Sequence, residues 1–168
     1  MRKLIRNVIS ANDDAQRGPT TTSASVDRGV CHSQPAPPLP LLDELNKDYW
    51  CGGADGQLRI YRCRACGFYS HPPSPVCSRC YGRDVSAEPV SGRGVVYSYT
   101  VNEQPWLPAF PPPYVVALVE LDEQEGLRVV SNIVDCDIGA VRIGLPVTVT
   151  FVAQDDVYVP LFRPLDAP

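Results

Sequence analysis

The sequence has few of the groups that enzymes use for acid–base chemistry near neutral pH. Among its 168 residues are two histidines, His32 in a polar N-terminal stretch and His71 in a proline-rich loop. These positions argue against a histidine-based catalytic triad. A Gly-x-x-x-x-Gly-Lys loop for phosphate binding is also missing. The absences predict a chain that supplies no catalytic residue of its own.

Long apolar runs and excess positive charge are missing as well. No stretch approaches the roughly 18 to 20 apolar residues of a membrane-spanning helix, and the basic N-terminus lacks the apolar core of a signal peptide. The net charge is −4, so no bulk positive field draws the chain to nucleic acid or to an anionic membrane. We therefore expect a cytoplasmic protein that does not bind membranes.

Proline and glycine are abundant and predict strands and loops rather than long helices, since 18 prolines and 12 glycines divide the chain into short segments. Residues 1–40 are polar, without hydrophobic periodicity, and predict a disordered tail. Residues 41–56 predict an amphipathic helix, either folded onto its own domain or docked to a partner. Its apolar face comprises Leu41, Leu42, Leu45, Tyr49 and Trp50.

Two closely spaced cysteine pairs mark residues 57–86 as a metal-binding ribbon. Cys63 and Cys66 are separated by two residues, as are Cys77 and Cys80, and ten residues lie between the pairs. Each pair can form a tight knuckle that directs two sulfurs at one ion, and two knuckles complete a tetrahedron. We predict structural Zn²⁺, with iron as the less favoured metal. The remaining cysteines, Cys31, Cys51 and Cys136, are expected to be free thiols and His71 a surface residue.

Residues 87–168 show the alternation of antiparallel strands. The first strand carries Val95, Tyr97, Tyr99 and Val101, taken as one face, after a tight turn at Gly92 and Gly94. Further strands are expected at 114–121, 127–134, 146–152 and 157–162. Five such strands avoid exposed edges by closing into a barrel, so we predict an OB-fold, with an open sandwich as the alternative.

The connection between the first two barrel strands contains five prolines and three large apolar side chains. It spans Asn102–Pro113 and includes Trp106, Leu107 and Phe110. Loops at this position commonly contact ligands in OB-folds, and stiff aromatic loops lose little entropy on binding. Either the loop contacts a ligand or partner, or its aromatic residues cap the barrel.

Taken together, these motifs resemble one known family, over residues 41–163. The carrying residues are Cys63-Arg-Ala-Cys66-Gly67, Pro72-Pro73, Cys77-Ser-Arg-Cys80, Gly92-Arg-Gly94-Val-Val-Tyr-Ser-Tyr-Thr100, Pro113-Tyr114-Val-Val-Ala-Leu-Val-Glu-Leu121 and Val141-Arg-Ile-Gly144-Leu-Pro-Val147. The chain is similar to the zinc-ribbon OB-fold proteins associated with acyl-CoA enzymes, long catalogued as a domain of unknown function.

The resemblance implies a helix, a rubredoxin-like zinc ribbon and an OB-fold in a mainly β chain, acting as a non-catalytic subunit of a hetero-oligomer. Its implied partners are thiolase-like aldolases, thiolases or MaoC-like enoyl-CoA hydratases, with steroid side-chain degradation as one setting. There the partner performs retro-aldol cleavage of an acyl-CoA. Arg93, Trp106 and Phe110 are hypothetical contacts to the acyl-CoA or the partner.

Two other functions remain open at this point. A zinc-ribbon OB protein could bind single-stranded nucleic acid by stacking bases on Tyr97, Tyr99 and Trp106, although the barrel segment is acidic. A rubredoxin-like iron protein could transfer electrons.

Overall fold

The computed structural model describes residues 37–165. A short helix α1 and a 3-10 turn precede eight strands, and a second 3-10 turn joins β6 to β7. Their bounds are α1 Lys47–Cys51, 3-10 turn Gly52–Asp55, β1 Leu58–Cys63, β2 Tyr69–Ser70, β3 Val85–Val90, β4 Arg93–Asn102, β5 Tyr114–Leu121, β6 Arg128–Ile133, 3-10 turn Ile138–Ala140, β7 Pro146–Gln154 and β8 Val157–Pro164.

The first three strands form the ribbon, an antiparallel sheet in the order β2-β1-β3. Central β1 pairs along its whole length with β3, from Leu58 opposite Val90 to Cys63 opposite Val85. Strand β2 adds only two residue pairs at the far end of β1. The sheet therefore ends where the cysteine knuckles begin.

The remaining five strands close into a barrel in the order β4-β5-β6-β8-β7, which confirms the predicted fold class. Side chains alternate between buried and half-buried along β5, as a strand with one face on a core requires. The centre is aliphatic around one phenylalanine. Its most deeply buried members include Val96, Val119, Val129, Val147 and Phe162.

The face assigned to the first barrel strand was wrong, because β4 contains a β-bulge at Tyr97. Before the bulge, Val95 pairs with outward Glu120; after it, Tyr99 pairs with buried Ala117. One inserted residue shifts the side-chain alternation by one. Tyr97 and Tyr99 therefore lie on different faces of β4, and periodicity alone cannot show this.

The predicted helix over 41–56 was too long. The Asp43 carboxylate accepts hydrogen bonds from the backbone N–H groups of Leu45 and Asn46 at 2.9 and 2.7 Å. The Lys47 N–H also donates to the Asp43 carbonyl at 3.0 Å, so Asp43 caps the turn that leads into the helix. The regular helix is Lys47–Cys51, and it continues as the 3-10 turn. Leu41 is 92% exposed and lies outside the helix.

The helix packs on its own domain, since Tyr49 is buried and shares one core cluster with Leu58, Ile60 and the barrel. Gln124, in the β5–β6 turn, links the ribbon to the barrel. Its side chain accepts from the Tyr69 N–H at 2.9 Å and donates to the Tyr69 carbonyl at 3.1 Å. The amide thus imitates a strand partner for the edge of β2.

The predicted disordered tail at 1–40 lies, up to residue 36, outside the described residues. Within residues 37–165, no helix is long and apolar enough to span a membrane.

Candidate metal centre and partner surface

The four predicted metal ligands come from two knuckles with the same backbone pattern. In each, the N–H four residues after the first cysteine donates to that cysteine's carbonyl: Gly67 to Cys63 at 2.8 Å and Tyr81 to Cys77 at 2.9 Å. Gly67 and Tyr81 both have positive φ, 74° and 60°. The left-handed conformation reverses the chain, which brings the second cysteine of each pair beside the first.

The sulfur positions fit one tetrahedral metal ion. The Sγ atoms of Cys63, Cys66, Cys77 and Cys80 lie within 4.8 Å of one another. Two pairs across the knuckles, Cys63 with Cys80 and Cys66 with Cys77, are 3.6 Å apart. A tetrahedral site with Zn–S bonds of about 2.3 Å separates its sulfurs by roughly 3.8 Å. The donor set therefore suits a structural four-cysteine metal site.

Backbone groups favour the thiolate form of Cys77. N–H groups of the second knuckle, chiefly that of Cys80, lower the pKa of the Cys77 thiol to about 7. Arg79 contributes an N–H 3.4 Å from the same sulfur. With four protein ligands the coordination sphere is closed, so the site can hold the ribbon together but offers no position for a substrate.

His71, predicted to be a surface residue, is half-buried, and it does not join the cysteine cluster. Its ring packs against Tyr49 with ring centroids 4.7 Å apart, and burial lowers the pKa of the imidazole to about 4. It is therefore neutral at physiological pH, a poor position for a general base. Within the described residues, Cys51 and Cys136 form no disulfide; Cys31 lies outside these residues.

The β4–β5 loop presents its aromatic residues to solvent. Trp106 is 73% exposed, although its indole N–H donates to the Asn102 side-chain oxygen at 2.7 Å. Phe110 is 36% exposed and lies 6.2 Å from the Tyr114 ring. Because the larger side chain remains in solvent, the loop favours a contact surface over a barrel cap.

Arg93 lies far from this loop. It begins β4, whereas Asn102 ends it, and ten extended residues span about 30 Å. The three predicted contact residues therefore do not form one compact site. A contact by Arg93 would be separate from one by Trp106 and Phe110.

The aromatic platform required for base stacking is also not assembled. Tyr97 is covered by the Arg128 guanidinium, 3.4 Å from its ring centroid, and Arg128 is paired with Glu120 at 2.7 Å. Tyr99 follows the bulge on the other face. The two rings therefore do not form one continuous stacking surface, and the cation beside Tyr97 is paired with an acid.

One feature that the sequence reasoning missed is the outer face of β5 and β6. Val130 points outward between Arg128 and Asn132 and is 65% exposed. Val116 and Leu118 pair with Asn132 and Val130 on the same face. The signal was the doublet Val129-Val130, because in an alternating strand one of two adjacent valines must face outward.

Fold and site define the class as a four-cysteine ribbon joined to an OB-fold barrel. Residues 50–86 match the ChsH2 rubredoxin-like zinc ribbon domain, and residues 87–152 match the ChsH2 C-terminal OB-fold domain. A solved chain described as Ltp2-ChsH2(DUF35) aldolase is 38% identical with a TM-score of 0.68, over 75% of this chain and 98% of that chain. The protein belongs to this ChsH2-type DUF35 family.

The chain is also similar to part of two longer relatives. A probable enoyl-CoA hydratase alpha subunit of Thermomonospora curvata is 40% identical over 76% of this chain and 40% of its own length. The 3-oxo-4,17-pregnadiene-20-carboxyl-CoA hydratase alpha subunit of Mycobacterium tuberculosis is 36% identical over 64% of this chain. The chain spans only 34% of that second subunit.

Proposed function

We propose that the protein is a non-catalytic subunit of an enzyme complex that acts on acyl-CoA thioesters, and that its partner is a thiolase-like aldolase. The observation that carries the proposal is the likeness to the chain from the Ltp2-ChsH2(DUF35) aldolase, which is 38% identical with a TM-score of 0.68 and is covered over 98% of its length.

The chemistry of the described residues favours a non-catalytic role. The four-cysteine site is closed to substrate, and His71, the histidine within residues 37–165, is held neutral against Tyr49. Nucleophilic and acid–base catalysis need a base beside a nucleophile. The reacting groups would then belong to the partner. The partner would perform retro-aldol cleavage of a steroid or fatty acyl-CoA, and the complex would act in the cytoplasm.

The metal in the four-cysteine site is zinc in this proposal. Four thiolates at tetrahedral spacing suit Zn²⁺, and residues 50–86 resemble a zinc ribbon. Metal analysis of protein from a metal-supplemented host should find one zinc per chain and no visible absorption. A coloured protein with stoichiometric iron would contradict the assignment.

The exposed loop is the proposed first contact with the partner. Trp106 and Phe110 are large apolar groups whose burial at an interface is favourable, and the proline-rich backbone limits the entropy lost. Arg93, at the opposite end of β4, would contact the partner or the acyl-CoA phosphates independently.

Affinity capture tests the proposal. The tagged chain, expressed in its native host, should co-purify with a thiolase-like protein, and the purified pair should cleave an acyl-CoA aldol substrate faster than the partner alone. Trp106→Ala should weaken the complex at least tenfold. Ile143→Ala, at a site 69% exposed on the β-turn before β7, is the matched control. Recovery of a MaoC-like hydratase instead would reassign the partner, and recovery of neither would overturn the proposal.

A further inference from the structure

Among the described strands of the closed barrel, β6 and β8 are the least paired neighbours. Within the described residues these strands pair only through Ile133 and Phe162, whereas β5 pairs with β6 from Glu120–Arg128 to Val115–Ile133. Strand β8 has its other partner in β7. The Ser131 hydroxyl also donates to the Pro160 carbonyl of β8 at 2.8 Å, so the free edge of β6 on the side away from β5 is residues 128–130.

The direction of the backbone groups follows from two hydrogen bonds. Leu121 N–H donates to the Leu127 carbonyl across the β5–β6 pair at 2.9 Å, and Val134 N–H points the other way, to the Phe162 carbonyl at 2.8 Å. Backbone groups alternate in direction along an antiparallel strand. The N–H and C=O of Arg128 and Val130 therefore point away from β5, to the side where no strand pairs with them.

Two apolar hollows meet at this edge. One of about 540 Å³ lies between α1, the loop at Pro72 and Pro73, and the side chains of Arg128 and Val130. The other, of about 160 Å³, lies between Val130 and Leu161. Trp50 and Val130 line both. An exposed edge with apolar walls is a template for an added strand.

The charge of the outer face of β5 and β6 indicates which class of ligand binds there. Strands 2 and 3 of an OB-fold, here β5 and β6, commonly bind oligonucleotides or oligosaccharides. In this chain the same face carries Val116, Leu118 and Val130, and its arginine is neutralised by Glu120. A polyanion gains nothing there, whereas an uncharged apolar peptide loses no charge solvation.

We infer that the free edge of β6 receives a short, extended, apolar segment of the partner subunit by β-strand addition. Main-chain hydrogen bonds to Arg128 and Val130 would give affinity, and the hollows on either side would take its side chains. The site lies apart from the loop proposed above, because Arg128 pairs with Glu120 near the end of β5, whereas Phe110 adjoins Tyr114 at its start. The inference rests on the proposed function for the identity of the partner.

Proline substitution at Val130 separates the backbone from the side chain. Val130→Pro deletes an N–H that points away from β5, so it spares the β5–β6 ladder. Val130→Thr keeps the N–H with a similar shape. Each variant, with Val130→Glu and the matched control Ile143→Glu, is titrated against the thiolase-like protein that the wild-type chain captures. We expect Val130→Pro and Val130→Glu to raise the Kd at least tenfold, and the other two to stay within twofold.

Hydrogen exchange of the wild-type complex gives a second measurement if Val130→Pro fails to fold. The amides of Arg128 and Val130 should exchange rapidly in the free chain and at least tenfold more slowly in the complex. Equal Kd values for the proline and threonine variants, or unchanged exchange, would overturn the inference while the captured partner still supports the proposed function.

Two other occupants of the edge would give different results. A chain that dimerises alone and becomes monomeric with Val130→Glu would assign the edge to a second copy. Saturable oligonucleotide binding that is lost in the same variant would assign the edge to nucleic acid. Either result overturns the inference.

Discussion

The ribbon and the barrel are both antiparallel, but different interactions hold them together. The barrel closes around an aliphatic core with Phe162 at its centre. In the ribbon, buried side chains come mainly from β1, and every residue of β2 and β3 is half-buried or exposed. Their charges differ too: residues 57–86 carry five arginines and one aspartate, and residues 87–168 four arginines and eleven acids. Burial can stabilise the barrel, whereas the ribbon tip needs a metal.

The boundary between these two modes of stabilisation lies within β1. Leu58 and Ile60 belong to the same core cluster as the barrel, while Cys63 at the other end belongs to the metal site. The base of the ribbon is thus an extension of the barrel core, and the tip is a separate metal-dependent unit. Gln124 joins the tip's edge strand to the barrel turn.

Metal removal should have the largest effect, because it should destabilise the ribbon tip and leave the barrel folded. Structural zinc sites contribute about 10 to 16 kcal/mol of apparent binding free energy near pH 7, far more than the ribbon tip can recover by burial. A chelator, or Cys66→Ser, should unfold the knuckles and β2 while the barrel persists. Hydrogen exchange should show lost protection at residues 61–70 and retained protection in β5.

Phe162→Ala is the converse control. Truncating this fully buried side chain should destabilise the barrel by about 3 to 5 kcal/mol, yet the variant should still bind one metal per chain under native conditions. Retained protection of residues 61–70 after complete metal removal would show that the ribbon tip does not depend on its ion.

Acid should lower the free energy of unfolding through His71, which lies at the contact between the ribbon loop and the helix. Burial lowers its pKa to about 4, below the ordinary value of about 6.5. Between these values the unfolded chain binds the proton and the folded chain does not, so stability is complete above pH 6.5 and falls as the pH decreases toward 4. Allowing for partial exposure, the loss at pH 5 should be about 1 to 2 kcal/mol.

His71→Gln removes this titration and serves as the comparison, because acid also releases metal in both proteins. Urea unfolding of metal-loaded wild type and variant at pH 7 and pH 5 measures the difference. Asp43 and Arg128 line the same groove with opposite charges and are present in both. An identical pH dependence in the two proteins would show that His71 is accessible to protons in the folded state.

Local patterns predicted much of this structure because they report on local geometry. Cysteine spacing predicted the four cysteines whose sulfurs lie within 4.8 Å of one another, and alternation located five barrel strands, since a strand with one buried face must alternate. The separation of Arg93 from Trp106 was already implicit in the strand predicted between them. What could not be predicted depends on single insertions or distant partners: the bulge at Tyr97, and the docking of Gln124 on Tyr69.

A cap and a distant contact explain the remaining differences. Leu41 and Leu42 have helical spacing with Tyr49, but Asp43 caps the following turn, so both leucines precede the helical segment. The burial of His71 depends on Tyr49, which is 22 residues away in sequence. Neither contact has a periodic signature, so the hydrophobic pattern gives the wrong answer at both positions.

The smallest expected effect concerns the two knuckles. They have the same backbone shape but different residues at the position after the second cysteine. Gly67 and Tyr81 occupy equivalent positions with φ of 74° and 60°, a region that costs a non-glycine residue roughly 1 kcal/mol. The Tyr81 side chain is exposed, so little burial is lost on its removal. Tyr81→Gly should therefore stabilise the metal-loaded ribbon by about 0.5 kcal/mol, the conformational relief being partly offset by the entropy of glycine.

Gly67→Ala is the reciprocal change and should destabilise the ribbon by about 1 kcal/mol. A Cβ at this position would have the Arg62 side chain as its nearest neighbour at 3.4 Å, an ordinary contact, so the loss would arise from the backbone conformation alone. Competition with a chromophoric chelator measures both variants as opposite shifts in metal affinity. Shifts of the same sign would mean that Tyr81 contributes a contact that outweighs its backbone conformation, and that the knuckles are equivalent in shape but not in energy.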